Sequence, residues 1–274
     1  MSMENASLDQ YIISGGEQGR NRLGVIARVL ESSTQVLLDQ LEPLQDCIVV
    51  DVGCGGGDVT FELARRTGAG GSVIGIDLDV TKLALAQEEA ARRNISNVTF
   101  QTMDALSEWP FKNLDMVNIR FVLTHIPNPQ DLLARAFVAL RPGGSIVVQD
   151  IDYDGQFCDP PSPAVQCYRD LYVQTAQSKD CDPFIGRSLS RLLRNAGFID
   201  VESSLAQPYG RQDDIKQIAS LTLEAIKDSA LSAGIVTAEQ FATLTSDLAI
   251  FLAWGDSIIS TPRIFQAWGY KVCE

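Results

Sequence analysis

Between residues 47 and 149, short runs of β-branched and other apolar residues alternate with stretches whose apolar positions recur every three or four residues. That alternation is the pattern of βαβ units, whose parallel strands are covered by helices on both faces. Strands are predicted over 48–52, 72–76, 98–101, 116–119 and 145–149, each short and nearly all apolar. A helix is predicted from Asn128 as N-cap and Pro129 in the first turn, through the stripe Leu132, Leu133, Ala136, Phe137 and Leu140. Arg141-Pro142-Gly143-Gly144 stops it. A further helix over 186–195 carries Leu189, Leu192 and Leu193 on one face, and Gly197 at its end leads into a strand over 198–203.

Three regions fall outside this rhythm. Residues 11–22 read as a loop, and 23–41 as an amphipathic helix that packs over the core. Residues 152–183, rich in Pro, Asp and Cys, interrupt the expected strand-to-helix connection with a helix near 164–176, as lids do. Helices near 213–229 and 238–257 form a cover, the second opened by a capping box of Thr237 and Gln240 and striped by Leu244, Leu248, Phe251 and Leu252. A closing strand over 262–270 returns the chain to the sheet. The expected fold is α/β, with a seven-stranded mostly parallel sheet, helices on both faces, an N-terminal helical segment and helical lid insertions.

The chemistry concentrates where the first strand ends, at Val49-Val50-Asp51-Val52-Gly53-Cys54-Gly55-Gly56-Gly57. A strand running into glycines and then a helix lets backbone approach a nucleoside-bearing ligand without Cβ interference. A dinucleotide fingerprint wants glycine at the first, third and sixth positions, and counting from Gly53 the sixth is Asp58. A carboxylate there opposes pyrophosphate and suits a ligand with cationic groups.

Asp51 to Gly57 resembles motif I of class I S-adenosylmethionine-dependent methyltransferases, and further landmarks of that family follow in order. The resemblance spans residues 51–149, thins to 186–198 and 267–271 beyond them, and is closest to small-molecule methyltransferases of the ubiquinone and menaquinone biosynthesis type. It implies a Rossmann-like fold, S-adenosyl-L-methionine as cofactor, and a small-molecule methyl acceptor. Asp77, ending the second strand with Leu78 beside it, corresponds to the acidic residue that accepts from the ribose hydroxyls. Asp104 and the Ala105 backbone correspond to the adenine contacts. Asp51, Gly53, Cys54 and Gly55 form the loop against the cofactor, with Cys54 in a small packing place. Asp79 reads as a helix cap. Residues 115–125 look like the fourth strand and its exit loop, which places Arg120 near the cofactor or an anionic acceptor. His125, the one histidine, is a candidate general base there, or a loop-orienting side chain. Tyr11 and Arg22 match a segment that closes over the cofactor's methionine end in some of these enzymes. The domain division implied is 1–45 covering the cofactor site and 46–274 as the methyltransferase domain, with lids at about 152–185 and 210–260.

Composition narrows the partners. Thirty-five acidic against 22 basic residues give a net charge of −13, which repels nucleic-acid backbones and anionic lipid. No apolar run approaches the roughly 18 residues that span a bilayer, and no basic region precedes an apolar one near the N-terminus, so stable membrane insertion is not expected and a cytoplasmic location is. Six cysteines lack ligand spacing, so reduced thiols and no metal are expected. A monomer or homodimer is expected. Residues 118–121, Asn-Ile-Arg-Phe, lack the Asn/Asp-Pro-Pro-aromatic motif of the family's amino-purine and amide methylating members, which disfavours those acceptors. Oxygen, carbon, sulfur and ordinary amine acceptors stay open. Two other functions fit parts of the pattern: a non-catalytic S-adenosylmethionine-binding module, and an NAD(P)-dependent oxidoreductase tolerating the poor glycine match.

Overall fold

The computed structural model describes residues 13, 15–41, 43–211 and 213–273; Tyr11 lies outside them. In chain order the elements are α1 (Gly16–Leu38), β1 (Ile48–Val52), α2 (Asp58–Thr67), β2 (Ser72–Asp77), α3 (Val80–Arg92), β3 (Val98–Thr102) and β4 (Leu114–Arg120). Then follow α4 (Pro129–Ala139), β5 (Leu140–Asp152), β6 (Cys158–Asp159), α5 (Pro163–Gln177), α6 (Leu189–Asn195), β7 (Ile199–Ala206) and β8 (Tyr209–Gly210). The chain closes with α7 (Asp213–Ala225), α8 (Lys227–Ser232), α9 (Ala238–Ala253), β9 (Ile258–Ser260) and β10 (Arg263–Tyr270).

Seven strands form one sheet in the order β3-β2-β1-β4-β5-β10-β7. The pairings from β3 to β5 are parallel, while β10 runs antiparallel to both β5 and β7. The order reverses beside β1, and open α/β sheets bind ligands at the carboxyl edge of such a switch point. Val50, Val52, Val117, Ile119, Ile146 and Val148 are fully buried, which explains why these strands show no polar alternation.

The remaining elements form a cap over that edge. Tyr168, Leu171 and Tyr172 of α5, Leu223 of α7 and Leu248 and Phe251 of α9 share a core of their own, and Val25, Ile26 and Leu30 of α1 pack with Ile218 and Ile264. The strands β6, β9 and β8 make a small second sheet that ties the insertions together. None of those short pairings has a periodicity to announce it. Among the described residues no helix is long and apolar enough to cross a membrane.

Several boundaries differ from expectation. The first helix starts at Gly16, inside the expected 11–22 loop, because the Gly15-Gly16 pair opens it: the Gly16 N–H, an orphan of the first turn, donates to Asp79 Oδ2 at 2.9 Å. The expected 213–229 helix breaks after Ala225 into α7 and α8, and α9 stops at Ala253, with Trp254 turning extended. Asn128 occupies its N-cap position, but its side chain makes no capping bond. The Thr237–Gln240 box is formed in both directions, at 3.2 and 2.9 Å.

Asp79 caps α3 by accepting from Thr81 N and Lys82 N at 3.0 and 3.1 Å, while its other oxygen holds Gly16 of α1. One side chain therefore stabilises two helix starts. Asp79→Ala is expected to cost about 1–2 kcal/mol, seen as a lower urea midpoint at unchanged slope, with Asp79→Asn, an equally good cap, costing much less. Equal midpoints for the wild type and the alanine variant would refute this coupling.

Candidate active site

The carboxyl ends of β1, β2 and β4 meet beneath α1, where two cavities adjoin. The smaller is bounded by Leu78, Met103, Asp104, Ala105 and Ile126. The larger runs from Gly53 and Gly55 beneath Leu23 and Ile26 toward Tyr153, Tyr172 and Thr222. Gly53, Asp77, Val122 and His125 border both.

The glycine loop depends on left-handed backbone, with φ of 66° at Gly53, 54° at Gly55 and 82° at Gly57. A Cβ on Gly53 would lie 2.3 Å from Val122 Cγ2, and one on Gly55 2.7 Å from Leu23 Cδ1. The loop is thus pressed between the β4 exit and the covering helix. Arg20 of α1 crosses Gly56 and forms a two-bond pair with Asp58 at 2.9 and 3.2 Å. Asp58, where a dinucleotide loop has its third glycine, is thereby committed to the roof.

Asp51 is 2% exposed and lines neither cavity. Its carboxylate accepts from Thr60 Oγ1 at 2.6 Å and Asn118 Nδ2 at 2.7 Å. Burial raises its pKa, and those two bonds together with the Arg120 charge oppose the rise. Cys54 also sits behind the cavities, its sulfur close enough to Gly75 that a Cβ there would lie 2.9 Å away. Burial, aided by Asp51 and Asp77, pushes this thiol well above its ordinary range, as suits a packing residue. Asp51 and Cys54 are therefore not cavity-lining groups, contrary to a direct-contact reading of the loop.

Asp77 stands where the two cavities join. Its Oδ2 accepts from Gly55 N at 2.8 Å and its Oδ1 from Asp79 N at 2.9 Å, so each oxygen keeps a further lone pair. Asp104 Oδ1 accepts from Leu106 N at 2.8 Å, a turn that shapes the wall of the smaller cavity.

At the exit of β4, Phe121 adopts a φ of 58°, an uncommon conformation for a bulky side chain, and donates its N–H to Gln149 O at 2.8 Å. This turn sets Arg120, Phe121 and Val122 along the larger cavity. The Arg120 guanidinium lies 5.7 Å from the Phe121 ring centroid, and burial lowers its pKa against the opposing charges of Asp51 and Asp58. His125 ends the following turn; burial, with Arg22 and Lys82 adding, lowers its pKa to about 3. It is a neutral imidazole at any ordinary pH. Beneath that turn Asp150 accepts from Thr124 N and Ile151 N, and burial pushes its carboxyl up to about 7.

Arg22 projects from α1 into the larger cavity, where its Nε donates to Thr222 Oγ1 at 3.0 Å. Lys82 lines the same space and pairs with Asp79 at 3.4 Å. The structure thus brings together Gly53, Gly55, Asp77, Leu78, Asp104, Ala105, Arg120, His125 and Arg22 around the joined cavities. Sequence reasoning missed Phe121, Lys82, Tyr153, Tyr172 and Thr222. The Leu23, Ile26 and Leu30 stripe of the roof was open to detection, being spaced at helical intervals.

A sequence profile described as a methyltransferase domain matches residues 44–197. Methyltransferase str3 of Strobilurus tenacellus is 32% identical over 152 residues, 54% of this chain and 51% of that protein. A ubiquinone biosynthesis O-methyltransferase of Paracidovorax citrulli is 32% identical over 117 residues, 42% of this chain and 48% of that protein. The chain spans about half the length of these curated relatives. In fold it resembles Haemonchus contortus phosphoethanolamine N-methyltransferase 2, solved with phosphomonomethylethanolamine and S-adenosylhomocysteine, at a TM-score of 0.59 and 19% identity, over 100% of this chain and 61% of that one. With the profile covering more than half of its length, the chain belongs to the methyltransferase domain family.

Proposed function

We propose that this protein transfers the methyl group of S-adenosylmethionine to a small-molecule acceptor by in-line displacement. Family membership supports the reaction type, and the position of Asp77 at the junction of the two cavities carries the ligand assignment. A nucleoside needs a base slot and a diol acceptor side by side. Here Asp104 and the Ala105 backbone border the slot, and a carboxylate with free lone pairs follows at its mouth. Gly53 and Gly55 border the larger cavity, where the amino-acid end belongs.

Of the two arginines, Arg120 suits the cofactor carboxylate, because it lines the larger cavity together with Gly53 and Gly55. A zwitterion would fit that arrangement, its carboxylate held by Arg120 and its ammonium favoured by the field of Asp51 behind the loop. Asp51 is then a positioning residue that acts through Thr60, Asn118 and the loop. Arg22 stands with the tyrosines farther along the cavity.

Bound S-adenosylmethionine supplies an activated methyl on a good leaving group, so the chain's own residues align the acceptor and exclude water. α1, α5 and α7 supply that roof. A buried imidazole kept neutral can accept a proton or orient a hydroxyl, and it adds no charge opposite the sulfonium. We place the protein in the cytoplasm, where its six free cysteines stay reduced. We propose a monomer or a homodimer.

Calorimetry with S-adenosylhomocysteine tests the reading. The wild type is expected to bind, and Asp77→Ala to weaken binding by about 10- to 100-fold, as losing hydrogen bonds to a charged group does. A wild type with no affinity for the ligand overturns the assignment. The single histidine gives a second check, because one imidazole resonance reports one site. That resonance is expected to keep its neutral position from pH 8 down to about pH 5, well below the ordinary midpoint near 6.5. A titration midpoint between 6 and 7 would place His125 in solvent contact and remove the neutral-imidazole role.

A further inference from the structure

The part of the larger cavity away from Asp77 has a different character from its cofactor end. Ile26 and Leu30 of α1, Ile151 of β5, Ile218 of α7 and Ile264 of β10 wall it, all apolar. Tyr153 and Tyr172 border it as a stacked pair, their centroids 3.9 Å apart and their planes inclined by 16°. Behind them the hydroxyls of Tyr153 and Tyr168 meet at 3.3 Å, so the pair is held from the rear. A flat, apolar occupant fits such a space better than a flexible polar one.

Arg22 enters this apolar space from α1. Thr222 Oγ1 takes its Nε, and among the described residues no carboxylate pairs with it. A guanidinium that lines an apolar space with no carboxylate partner favours a negatively charged occupant there. Of the other ionisable side chains on the larger cavity, Lys82 pairs with Asp79, Asp77 holds Gly55 and Asp79, His125 and the tyrosines are neutral, and Arg120 lines the cofactor end with Gly53 and Gly55. A cationic amine would meet the Arg22 charge there, and Asp77, the only carboxylate among the described lining residues, lies at the other end of the cavity.

We propose, building on the cofactor assignment above, that the methyl acceptor is a planar, largely apolar molecule bearing an oxyanion, a phenolate or a carboxylate, which Arg22 receives and which is methylated on that oxygen. The acceptor's proton leaves to solvent as it binds. An oxygen lone pair then forms the new O–CH3 bond while the S–CH3 bond breaks and its electron pair returns to sulfur. Anion and sulfonium are both neutralised, so the products are an uncharged ether or ester and a thioether. The Arg22 cation lowers the proton affinity of the bound oxygen, and no strong general base is needed.

The chromogenic phenol 4-nitro-1-naphthol, titrated into protein saturated with S-adenosylhomocysteine, reports affinity and ionisation in one absorbance measurement. The wild type is expected to bind the naphtholate and to lower its pKa by about 1. In Arg22→Gln the affinity is expected to fall at least about tenfold and the pKa to return toward that of the free phenol, while S-adenosylhomocysteine affinity stays within about threefold. Arg22→Lys restores part of both, which separates lost charge from lost packing. Competition by 1-naphthoate assigns a carboxylate acceptor, and its failure assigns a phenol. The proposal is overturned if Arg22→Gln weakens S-adenosylhomocysteine by tenfold and leaves naphtholate unaffected, or if the cation 1-naphthylmethylamine binds more tightly than the naphtholate. Should the wild type bind naphtholate in an Arg22-dependent way yet show no affinity for S-adenosylhomocysteine, the oxyanion site stands and the cofactor assignment alone fails.

Discussion

A carboxylate buried at the end of the first strand holds the site together. Asp51 joins three elements at once: it belongs to β1, accepts from Thr60 on α2 and accepts from Asn118 on β4. With both oxygens engaged, the strand-to-helix turn has one geometry, and three of its four glycines take left-handed conformations that other residues adopt only at a cost. That turn delivers the Gly55 N–H to Asp77, the side chain shared by both cavities. Each bond is modest in water. In a dry interior, an unmade bond to a carboxylate would cost several times more, so the set acts as one unit.

The roof is anchored to this same turn. Arg20 reaches across Gly56 to Asp58, and Gly16 donates to Asp79, so α1 is fixed at two points near the glycine loop and at Arg28–Asp214 to the cap. The last pair is exposed and contributes little by itself. Most of the attachment comes from Val25, Ile26 and Leu30 against Ile218 and Ile264, which is burial of apolar area. The polar links then set register: they decide which face of α1 meets the cavity, and so that Leu23 covers Gly55 while Arg22 enters the space bordered by the tyrosines.

What was legible in the sequence follows from range. Strand positions, the Thr237 box and the Asp79 cap depend on neighbours within a few residues, and they could be read directly. Asp77 and Asp104 were legible because a strand end fixes where the next side chain points. Arg22 meeting Thr222 joins positions 200 residues apart, and no local pattern carries that pairing. The stacked Tyr153 and Tyr172 lie in the insertion, where each looks like an ordinary core aromatic. Phe121 gave no signal, since left-handed backbone is usually announced by glycine or asparagine and here tertiary packing imposes it on a phenylalanine. The inward turn of Asp51 was not legible. Asp51 looks like a group aimed at the ligand, whereas two partners turn it inward and leave the cavity to backbone, Asp77 and Arg120.

Two arginines in one cavity with different surroundings offer a physical basis for ordered recognition. Arg120 is buried in the field of Asp51 and Asp58. Arg22 has Thr222 and neutral aromatic rings around it, and no carboxylate partner among the described residues. On the proposed reading the first would hold a zwitterion's carboxylate and the second an anionic acceptor. A bound sulfonium would add a positive charge, which would deepen the potential for an oxyanion and raise the barrier for a cation. Selectivity among acceptors would then rest on charge as well as shape, since the Arg22 and Lys82 charges, which add to burial in keeping His125 neutral, favour the ionised form of an oxygen nucleophile.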